Sequence, residues 1–272
     1  MKFLYGKNVF LTGGSSGIGL ATAELFAANG YTVFAASRNP GAEIRSFPSG
    51  GKVQPVTLDV RDPQAIDAAV SSVFSTADIG IVIHCAGIGI ACAAEEYPPE
   101  AIAELMETNF NGVLRINNRI LPLMRKHGLG LCVIIGSMAG IFPIPYQSHY
   151  SASKAALDSY AAALRMEMRA FGVKVSLVLP GDTNTGFTSA RKYVINESSP
   201  FHNACIKAVK KMEKDELNGN QPITAARVIF KLCGRGNPPA RKIVGFSYKL
   251  LAFLRRLLPN RLIEFILRKM YI

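Results

Sequence analysis

Cysteine is scarce in this 272-residue chain, and its placement excludes two classes of structure. The five cysteines are odd in number, widely spaced and without a CxxC pair or a His/Cys ligand set: Cys85, Cys92, Cys132, Cys205 and Cys233. This pattern argues against a disulfide framework and against a structural metal site. We therefore expect a reducing compartment and no bound metal.

Long apolar runs and an export signal are also missing. No uninterrupted apolar run reaches the roughly 18 residues that a membrane-spanning helix needs. The first eleven residues are too short for a secretory signal and lead directly into a turn. We therefore expect a cytoplasmic protein that is either soluble or peripheral on a membrane surface.

Acidic residues are few, with 19 Asp and Glu against 31 Lys and Arg, and the imbalance is local. Residues 225–272 hold 11 Lys or Arg and one acid, Glu264, whereas residues 1–224 hold 20 against 18. Apolar residues make up 49% of the chain, which is enough for a sizeable core. We expect one nearly neutral catalytic domain, residues 1–245, followed by a basic tail, residues 246–272.

Apolar, β-rich runs alternate with helical patterns along the chain. The predicted strands span residues 7–12, 31–37, 52–59, 79–85, 129–137, 173–179 and 241–245. The predicted helices span residues 17–28, 63–77, 99–127, 149–171 and 222–234. Continuous apolar strands separated by helices are typical of a parallel sheet that is covered on both faces. The sequence therefore predicts an α/β fold, a Rossmann-like doubly wound sheet of about seven strands.

Residues 182–221 interrupt this alternation with polar, proline-containing and charged sequence. A connection of that length inside one domain is usually a lid or a binding loop. We assign it to a substrate lid.

A glycine-rich turn joins the first predicted strand to the first predicted helix. Glycine lets the backbone turn tightly and approach a pyrophosphate, whose charge is met by the helix N-terminus. Turns also use glycine without any ligand, so it is the strand–turn–helix setting that favours a dinucleotide. The predicted cofactor contacts of this turn are Gly13, Ser15, Ser16, Gly17, Ile18 and Gly19.

The second predicted strand ends at Ser37 and Arg38, where an NAD site usually has an acidic side chain for the ribose hydroxyls. Arg38 can instead pair with a 2′-phosphate, although it can equally be a solvated loop arginine. NADP(H) is therefore favoured, and NAD(H) stays open. Asp59 and Val60 are the predicted contacts after the third strand, where Asp59 also suits a turn.

Tyr150 and Lys154 lie four residues apart in a predicted helix, which puts them on one face. Ser137 follows a buried strand thirteen residues before Tyr150, and Asn109 lies in the preceding helix. Together with the glycine turn, these elements resemble the short-chain dehydrogenase/reductase family over roughly residues 4–245. The resemblance implies hydride transfer between a nicotinamide and a carbonyl or alcohol group.

The resemblance also implies a role for each of the four residues. Tyr150 would give its phenolic proton to the carbonyl oxygen during reduction. Lys154 would lower the pKa of that phenol by its charge and would hold the nicotinamide ribose. Ser137 would donate a hydrogen bond to the substrate oxygen. Asn109 would hold a water in a proton relay, although an asparagine in a helix can also hydrogen-bond to the backbone at a local bend.

Further cofactor contacts follow from two later segments that match the family. Ala86 and Gly87 would let the backbone approach the adenine ribose. The segment after the sixth strand would cover the nicotinamide through Pro180, Gly181, Thr183 and Thr185. One departure concerns the fourth strand, where His84-Cys85 replaces the family's usual Asn-Asn. The missing asparagine puts the local bracing of neighbouring strands in doubt.

The sequence indicates the substrate only through the general character of the lid and the tail, not through a motif. The lid contains Phe187, Tyr193, Val194 and Ile195 among polar residues, which favours an apolar pocket. Tail and lid together resemble family members that act on steroids, retinoids or acyl-chain ketones. We therefore expect a lipophilic ketone or secondary alcohol as substrate.

The tail, residues 246–272, alternates apolar and basic residues at helical spacing and is broken near Pro259. Two amphipathic helices of this kind can lie on an anionic membrane. They can also cover the substrate pocket or contact a second subunit. Nucleic-acid binding is not expected, because the basic residues are interleaved with large aliphatic ones.

Two other functions stay open. One is a non-catalytic dinucleotide-binding sensor or membrane scaffold. The other is a reductase of a polar or carrier-bound substrate, for which the basic tail would attract an acidic carrier protein. The family resemblance also implies a homo-oligomer, either a dimer or a tetramer.

Overall fold

A computed structural model describes residues 3–272 and has a parallel sheet at its centre. All seven predicted strands are present, so the predicted fold class is confirmed. The strands are β1 (Asn8–Thr12), β2 (Thr32–Ser37), β3 (Arg45–Ser46), β4 (Lys52–Thr57), β5 (Ile81–His84), β6 (Ile90–Ala91), β7 (Gly130–Ile135), β8 (Val173–Leu179), β9 (Lys192–Tyr193) and β10 (Arg241–Ile243).

The central sheet has eight strands in the order β10-β8-β7-β5-β1-β2-β4-β3. Seven of them run parallel, and the short strand β3 pairs antiparallel with β4 at one edge. The chain leaves β1 in one direction through β2 and β4, and it continues on the other side of β1 through β5 and β7. The point where the order reverses is where such sheets bind ligands, beyond the carboxyl ends of the strands.

Ten α-helices accompany the strands in the described part of the chain. They are α1 (Gly17–Ala27), α2 (Pro63–Phe74), α3 (Pro99–Met106), α4 (Gly112–His127), α5 (Ser148–Met168), α6 (Gly186–Ser189), α7 (His202–Leu217), α8 (Pro222–Cys233), α9 (Phe246–Leu257) and α10 (Asn260–Tyr271). The prediction of one continuous helix over residues 99–127 was wrong in its middle, because a π-helical turn at Glu107–Asn111 separates α3 from α4.

Alternating side chains of the strands feed two cores, one on each face of the sheet. Phe10 and Val82 pack in the core that α2, α4 and α5 cover. Leu11 and Ile83, the next residues along the same strands, pack in the core under α1 and α8. Because both faces are covered, the strands are apolar at almost every position, which is the continuous pattern seen in the sequence.

The predicted lid, residues 182–221, is more regular than the sequence indicated. It contains α6, β9 and the 16-residue helix α7, and β9 pairs with β6 to form a second, two-stranded sheet. The tail forms α9 and α10, which are separated at Pro259 as predicted. Tyr271 and Leu267 of α10 pack against Ala208 and Met212 of α7, so the tail is attached to the lid.

Within residues 3–272, no helix has both the length and the apolar character needed to cross a bilayer. The same residues contain no cluster of three metal-ligating side chains.

Candidate active site

A cleft of about 890 Å³ opens at the carboxyl edge of the central sheet. Its walls come from the glycine turn, from the segments that follow β2, β4, β5, β7 and β8, and from the lid and the tail. All the predicted site residues except Asn109 line it: Gly13, Ser15, Ser16, Gly17, Ile18, Gly19, Ser37, Arg38, Asp59, Val60, Ala86, Gly87, Ser137, Tyr150, Lys154, Pro180, Gly181, Thr183 and Thr185.

The glycine turn has the close packing that a pyrophosphate cradle requires. Gly13 has φ +72°, and a Cβ on it would lie 2.7 Å from the backbone nitrogen of Ala86. A Cβ on Gly19 would lie 2.0 Å from the carbonyl oxygen of Gly13. Gly17 has φ +53° and faces Thr185, which is 3.2 Å from the position of its missing Cβ. Only glycine fits at these positions, so the turn suits the dinucleotide.

At the adenosine end, the side chains present suit a phosphorylated ribose. Arg38 is exposed and makes no ion pair or hydrogen bond with any residue in 3–272, so its guanidinium is available to an anion. The hydroxyl of Ser37 is buried and lacks a hydrogen-bond partner in the same part of the chain. Both groups line the cleft. The residues therefore fit a 2′-phosphate better than a free 2′-hydroxyl.

Asp59 has a partner that the sequence did not suggest. Both carboxylate oxygens of Asp59 accept hydrogen bonds from the side chain of Arg61, and Oδ1 also accepts from its backbone N–H at 2.9 Å. The bond to Arg61 is the main reason that the pKa of Asp59 is lowered. Asp59 thus has the turn role that the sequence also allowed, and its contact with the adenine stays a prediction.

Tyr150, the predicted proton donor, lies in the first turn of α5 and lines the cleft. Its ring centroid is 5.7 Å from that of Phe187, a lid residue. Burial raises the pKa of Tyr150 to about 12, while a hydrogen bond from Ser137 acts in the opposite direction. Lys154 is not among the groups that act on this pKa, so the expected lowering by its charge stays a prediction. The phenol therefore stays protonated at neutral pH.

Lys154 lies one turn further along α5 and is 5% exposed. Its Nζ donates to the carbonyl oxygen of Ile135 at 3.1 Å and is 5.7 Å from the ring centroid of Tyr150. Burial lowers the pKa of Lys154 to about 8. The ammonium is thus charged at neutral pH and loses its charge within the range that enzymes experience.

Asn109 is fully buried in the π-helical turn between α3 and α4 and is linked to Tyr150 through Ser153. Its Oδ1 accepts from the backbone N–H of Ile88 at 2.8 Å, and its Nδ2 donates to the carbonyl of Ile88 at 3.0 Å. Nδ2 also donates to the hydroxyl of Ser153, which itself donates to the carbonyl of Tyr150. The side chain therefore braces the site, and its role in a water relay stays a prediction.

The departure at His84 is compensated by neighbouring polar groups. His84 is 2% exposed, and its Nε2 hydrogen-bonds to Oδ1 of Asn117 at 2.9 Å. Asn117 also donates to the hydroxyl of Tyr160 at 3.1 Å, which links β5 to α4 and α5. Burial lowers the pKa of His84 to about 4, so the ring is neutral. This network provides bracing where the family's asparagine is missing.

The sequence missed two charged residues beside Tyr150. Arg191 of the lid is buried and forms an ion pair with Glu216 of α7, which also accepts from the hydroxyl of Thr188 at 2.7 Å. The charges of Glu216 and Arg191 both act on the pKa of Tyr150. No pattern in the sequence connects positions 191 and 216, because the pair forms only when α7 packs against the first part of the lid.

The tail forms part of the wall of the cleft. Side chains from both α9 and α10 line it, and most of them are apolar: Ser247, Tyr248, Leu251, Leu254, Arg255, Leu258, Ile263, Ile266, Leu267, Met270 and Tyr271. Of the three alternatives for the tail, the structure therefore shows it as a cover of the pocket. The other two alternatives, a membrane contact and a subunit contact, would involve the outer surface of the tail.

Comparisons with known proteins agree with this geometry. The sequence profile of the short chain dehydrogenase family matches residues 7–193. A 3-ketodihydrosphingosine reductase of Bacteroides thetaiotaomicron is 36% identical over 267 residues, which is 97% of each chain. A ketoacyl reductase of Nostoc sp. is 33% identical over 82% of each chain. A solved short-chain dehydrogenase from Streptomyces avermitilis is 27% identical, with a TM-score of 0.80 and coverage of 93% of this chain and 94% of its own.

The lowered pKa of Lys154 predicts a pH dependence. Above about pH 8 the ammonium loses its proton while Tyr150, with its pKa near 12, keeps its own. We expect kcat/KM for ketone reduction to be constant below pH 7 and to fall tenfold per pH unit well above 8. Lys154→Arg should lack this fall, because a guanidinium stays charged. A wild-type profile that is flat to pH 9.5, or the same fall in both proteins, would contradict the assignment.

The bracing by Asn109 predicts a loss of stability. Asn109→Ala leaves both backbone groups of Ile88 without their partners in a buried place. We expect the free energy of unfolding in urea to fall by about 2–4 kcal/mol. Asn111→Ala serves as a control, because its amide bonds only the nearby Glu107 side chain. Equal stabilities of the two variants would show that Asn109 does not brace the fold.

Proposed function

Because this chain belongs to the short-chain dehydrogenase/reductase family, we propose that it uses NADP(H) to reduce a long-chain, lipophilic ketone to the secondary alcohol. The observation that supports this substrate most directly is the shared cleft. Tyr150 and apolar tail side chains such as Leu254, Ile263 and Met270 line the same cavity. An alkyl chain that is bound along the tail would hold its ketone at Tyr150.

The similarity to a 3-ketodihydrosphingosine reductase narrows the proposal. The substrate in that name is a long-chain ketone with an amino group and a hydroxyl group near the carbonyl. We propose a keto-lipid of this kind for the present chain. A steroid or retinoid is less well supported, because neither of the two relatives reported above is named for such a substrate.

The bound nicotinamide supplies the hydride for the carbonyl carbon. The protein supplies the proton: the phenol of Tyr150 passes it to the carbonyl oxygen as the alcohol forms. The hydroxyl of Ser137 donates a hydrogen bond to the same oxygen and thereby stabilises the negative charge that develops there. Lys154 then favours recovery of the proton by Tyr150, through a relay towards solvent that begins near the π-helical turn at Asn109.

Family membership and the presence of all four residues favour catalysis over a non-catalytic sensor, because binding alone requires no proton donor. A carrier-bound substrate is less well supported than a free lipid, because the relative that matches over 97% of each chain is named a 3-ketodihydrosphingosine reductase. A homo-oligomer remains part of the proposal.

We expect wild-type protein to oxidise NADPH in the presence of a 3-keto lipid with a chain of about ten or more carbons. Tyr150→Phe should lower kcat about 100- to 10,000-fold, because the proton donor is lost. Consumption of a steroid ketone but of no long-chain ketone would contradict the substrate class. Absence of turnover with every ketone would overturn the proposal.

The cofactor proposal has its own test. Arg38→Asp should lower kcat/KM for NADPH by about tenfold or more, because a charge-assisted contact is replaced by repulsion, and it should raise the relative use of NADH. Arg45→Asp is the matched control, because Arg45 is exposed, pairs with Glu24 and does not line the cleft. Equal cofactor preference in wild type and Arg38→Asp would contradict a 2′-phosphate contact.

We also propose that the tail binds an anionic membrane. Four residues of α9 form an outer stripe at helical spacing: Phe246, Leu250, Phe253 and Leu257. They are 82%, 51%, 58% and 65% exposed, and none lines the cleft. The tail holds six Lys or Arg and one acid. Exposed apolar residues with basic neighbours are typical of helices that lie in a membrane interface.

Vesicles test this membrane contact. We expect wild-type protein to sediment with vesicles that contain anionic lipid and to bind neutral vesicles more weakly. Replacing Phe246, Phe253 and Leu257 by serine should abolish sedimentation, whereas Phe171→Ser, at an exposed phenylalanine outside the tail, should not. Equal binding by all three proteins would contradict the proposal. A dimer that the triple variant alone loses would assign the outer stripe to a subunit contact.

A further inference from the structure

The loop after β8 forms the part of the cleft that is predicted to cover the nicotinamide. The carbonyl oxygen of Pro180 accepts from the backbone N–H of Met138 at 2.9 Å, directly after Ser137. The carbonyl oxygen of Asp182 accepts from the backbone N–H of Asn220, also at 2.9 Å, just beyond the end of α7. Two supports therefore hold the backbone of this loop, one beside Ser137 and one beside the lid helix.

A third support comes from the tail, through the hydroxyl group of Tyr248 in α9. This hydroxyl donates to Oδ2 of Asp182 at 2.6 Å and accepts from the backbone N–H of Asp182 at 2.9 Å. Burial, followed by the bond to Asp182, raises the pKa of Tyr248, so the phenol keeps the proton that it donates. A single hydroxyl thus fixes both the backbone and the carboxylate of Asp182.

The ring of Tyr248 lies against the neighbouring residue of the loop, Gly181. A Cβ on Gly181 would lie 2.2 Å from both Cε2 and Cζ of Tyr248, so no side chain fits between the loop and the ring. Gly245, which precedes α9, has φ +87°, a conformation that residues with a side chain rarely adopt. The chain can therefore turn from β10 into α9 at this glycine and bring the ring onto the loop.

The sheet brings the loop and α9 together. β8 and β10 are neighbouring parallel strands, with Leu179 beside Ile243, so the loop and α9 both follow strand ends at the carboxyl edge of the sheet. Tyr248 and Ala252, one helical turn apart, also pack against the core that α2, α4 and α5 cover. The core thus sets the position of α9, and Tyr248 connects that position to the loop.

We propose that Tyr248 is a positioning residue for the cofactor: its hydroxyl and its ring hold Asp182 and Gly181 in the conformation that covers the nicotinamide. The tail then contributes to cofactor binding, in addition to lining the cleft. The hydroxyl is essential to this role, because phenylalanine would keep the ring on Gly181 but would leave the N–H and the carboxylate of Asp182 without this partner. This role of Tyr248 rests on the proposed function for the identity of the cofactor, NADP(H).

Cofactor binding, measured without a ketone, separates this role from the reaction. The purified protein is titrated with NADPH, followed by its fluorescence, and by calorimetry with adenosine 2′,5′-bisphosphate, which lacks the nicotinamide half. We expect Tyr248→Phe to raise the Kd for NADPH about tenfold, because a hydrogen bond to a charged carboxylate is lost. The Kd for adenosine 2′,5′-bisphosphate should not change, because that half of the cofactor is predicted to lie at the glycine turn and Arg38.

Tyr193→Phe is the matched control. The hydroxyl of Tyr193 also donates to a carboxylate, that of Glu213, but Tyr193 does not line the cleft, so both ligands should bind as they do to wild type. Equal NADPH affinity of Tyr248→Phe and wild type would overturn the positioning role. An equal loss of affinity for both ligands in Tyr248→Phe would also overturn it, since a general disturbance of the fold would then be the cause.

A double-mutant cycle tests whether Tyr248 acts through Asp182. Asp182→Ala removes the carboxylate to which Tyr248 donates. Because both single changes break the same bond, the double variant should bind NADPH more tightly than the sum of the two single losses implies. Additive losses would show that the hydroxyl acts elsewhere and would contradict the positioning of Asp182. NADPH binding that depends on the Tyr248 hydroxyl, without reduction of any ketone, would support the positioning role and contradict the proposed reaction.

Discussion

The hydrogen bonds of one buried side chain, Asn109, fix the loop after β5 relative to helix α5. Its amide spans both backbone groups of Ile88, after β5, and reaches the hydroxyl of Ser153 in α5. Ser153 in turn bonds the carbonyl of Tyr150. Because a buried amide must satisfy its donors and acceptor, the loop after β5 and the helix that carries Tyr150 and Lys154 cannot shift independently. The π-helical turn at Glu107–Asn111 brings Asn109 to this position.

Burial has opposite effects on the two titratable groups of the site, and both effects suit reduction. It raises the pKa of the Tyr150 phenol and lowers that of the Lys154 ammonium, since each shift favours the neutral form. A phenol that keeps its proton is available as a donor at neutral pH. A lysine with a pKa of about 8 is still mostly charged at neutral pH.

The distribution of charge divides the protein into regions with different partners. Within residues 3–272, Arg38 has no ion-pair partner at the adenosine end, where an anionic cofactor is expected, whereas Arg191 and Glu216 pair with each other beside Tyr150. The outside of the tail is basic and apolar. Formal net charge therefore describes the surface that would meet a membrane, but it is a poor guide to the interior of the cleft, where individual ion pairs decide the local potential.

The sequence alone determined the sheet, the glycine turn, the four catalytic candidates and the helical, broken tail. These depend on local patterns: continuous apolar strands, a strand–turn–helix junction, and Tyr150 and Lys154 one helical turn apart. Only the tertiary structure decided that burial raises the pKa of Tyr150, that Asp59 is held by Arg61, and that α7 forms part of the lid. It also brought Arg191 to Glu216 and Tyr248 to Asp182, which are 25 and 66 positions apart. Local periodicity contains no information on such pairs, because their distance is set by how the lid and the tail pack over the sheet.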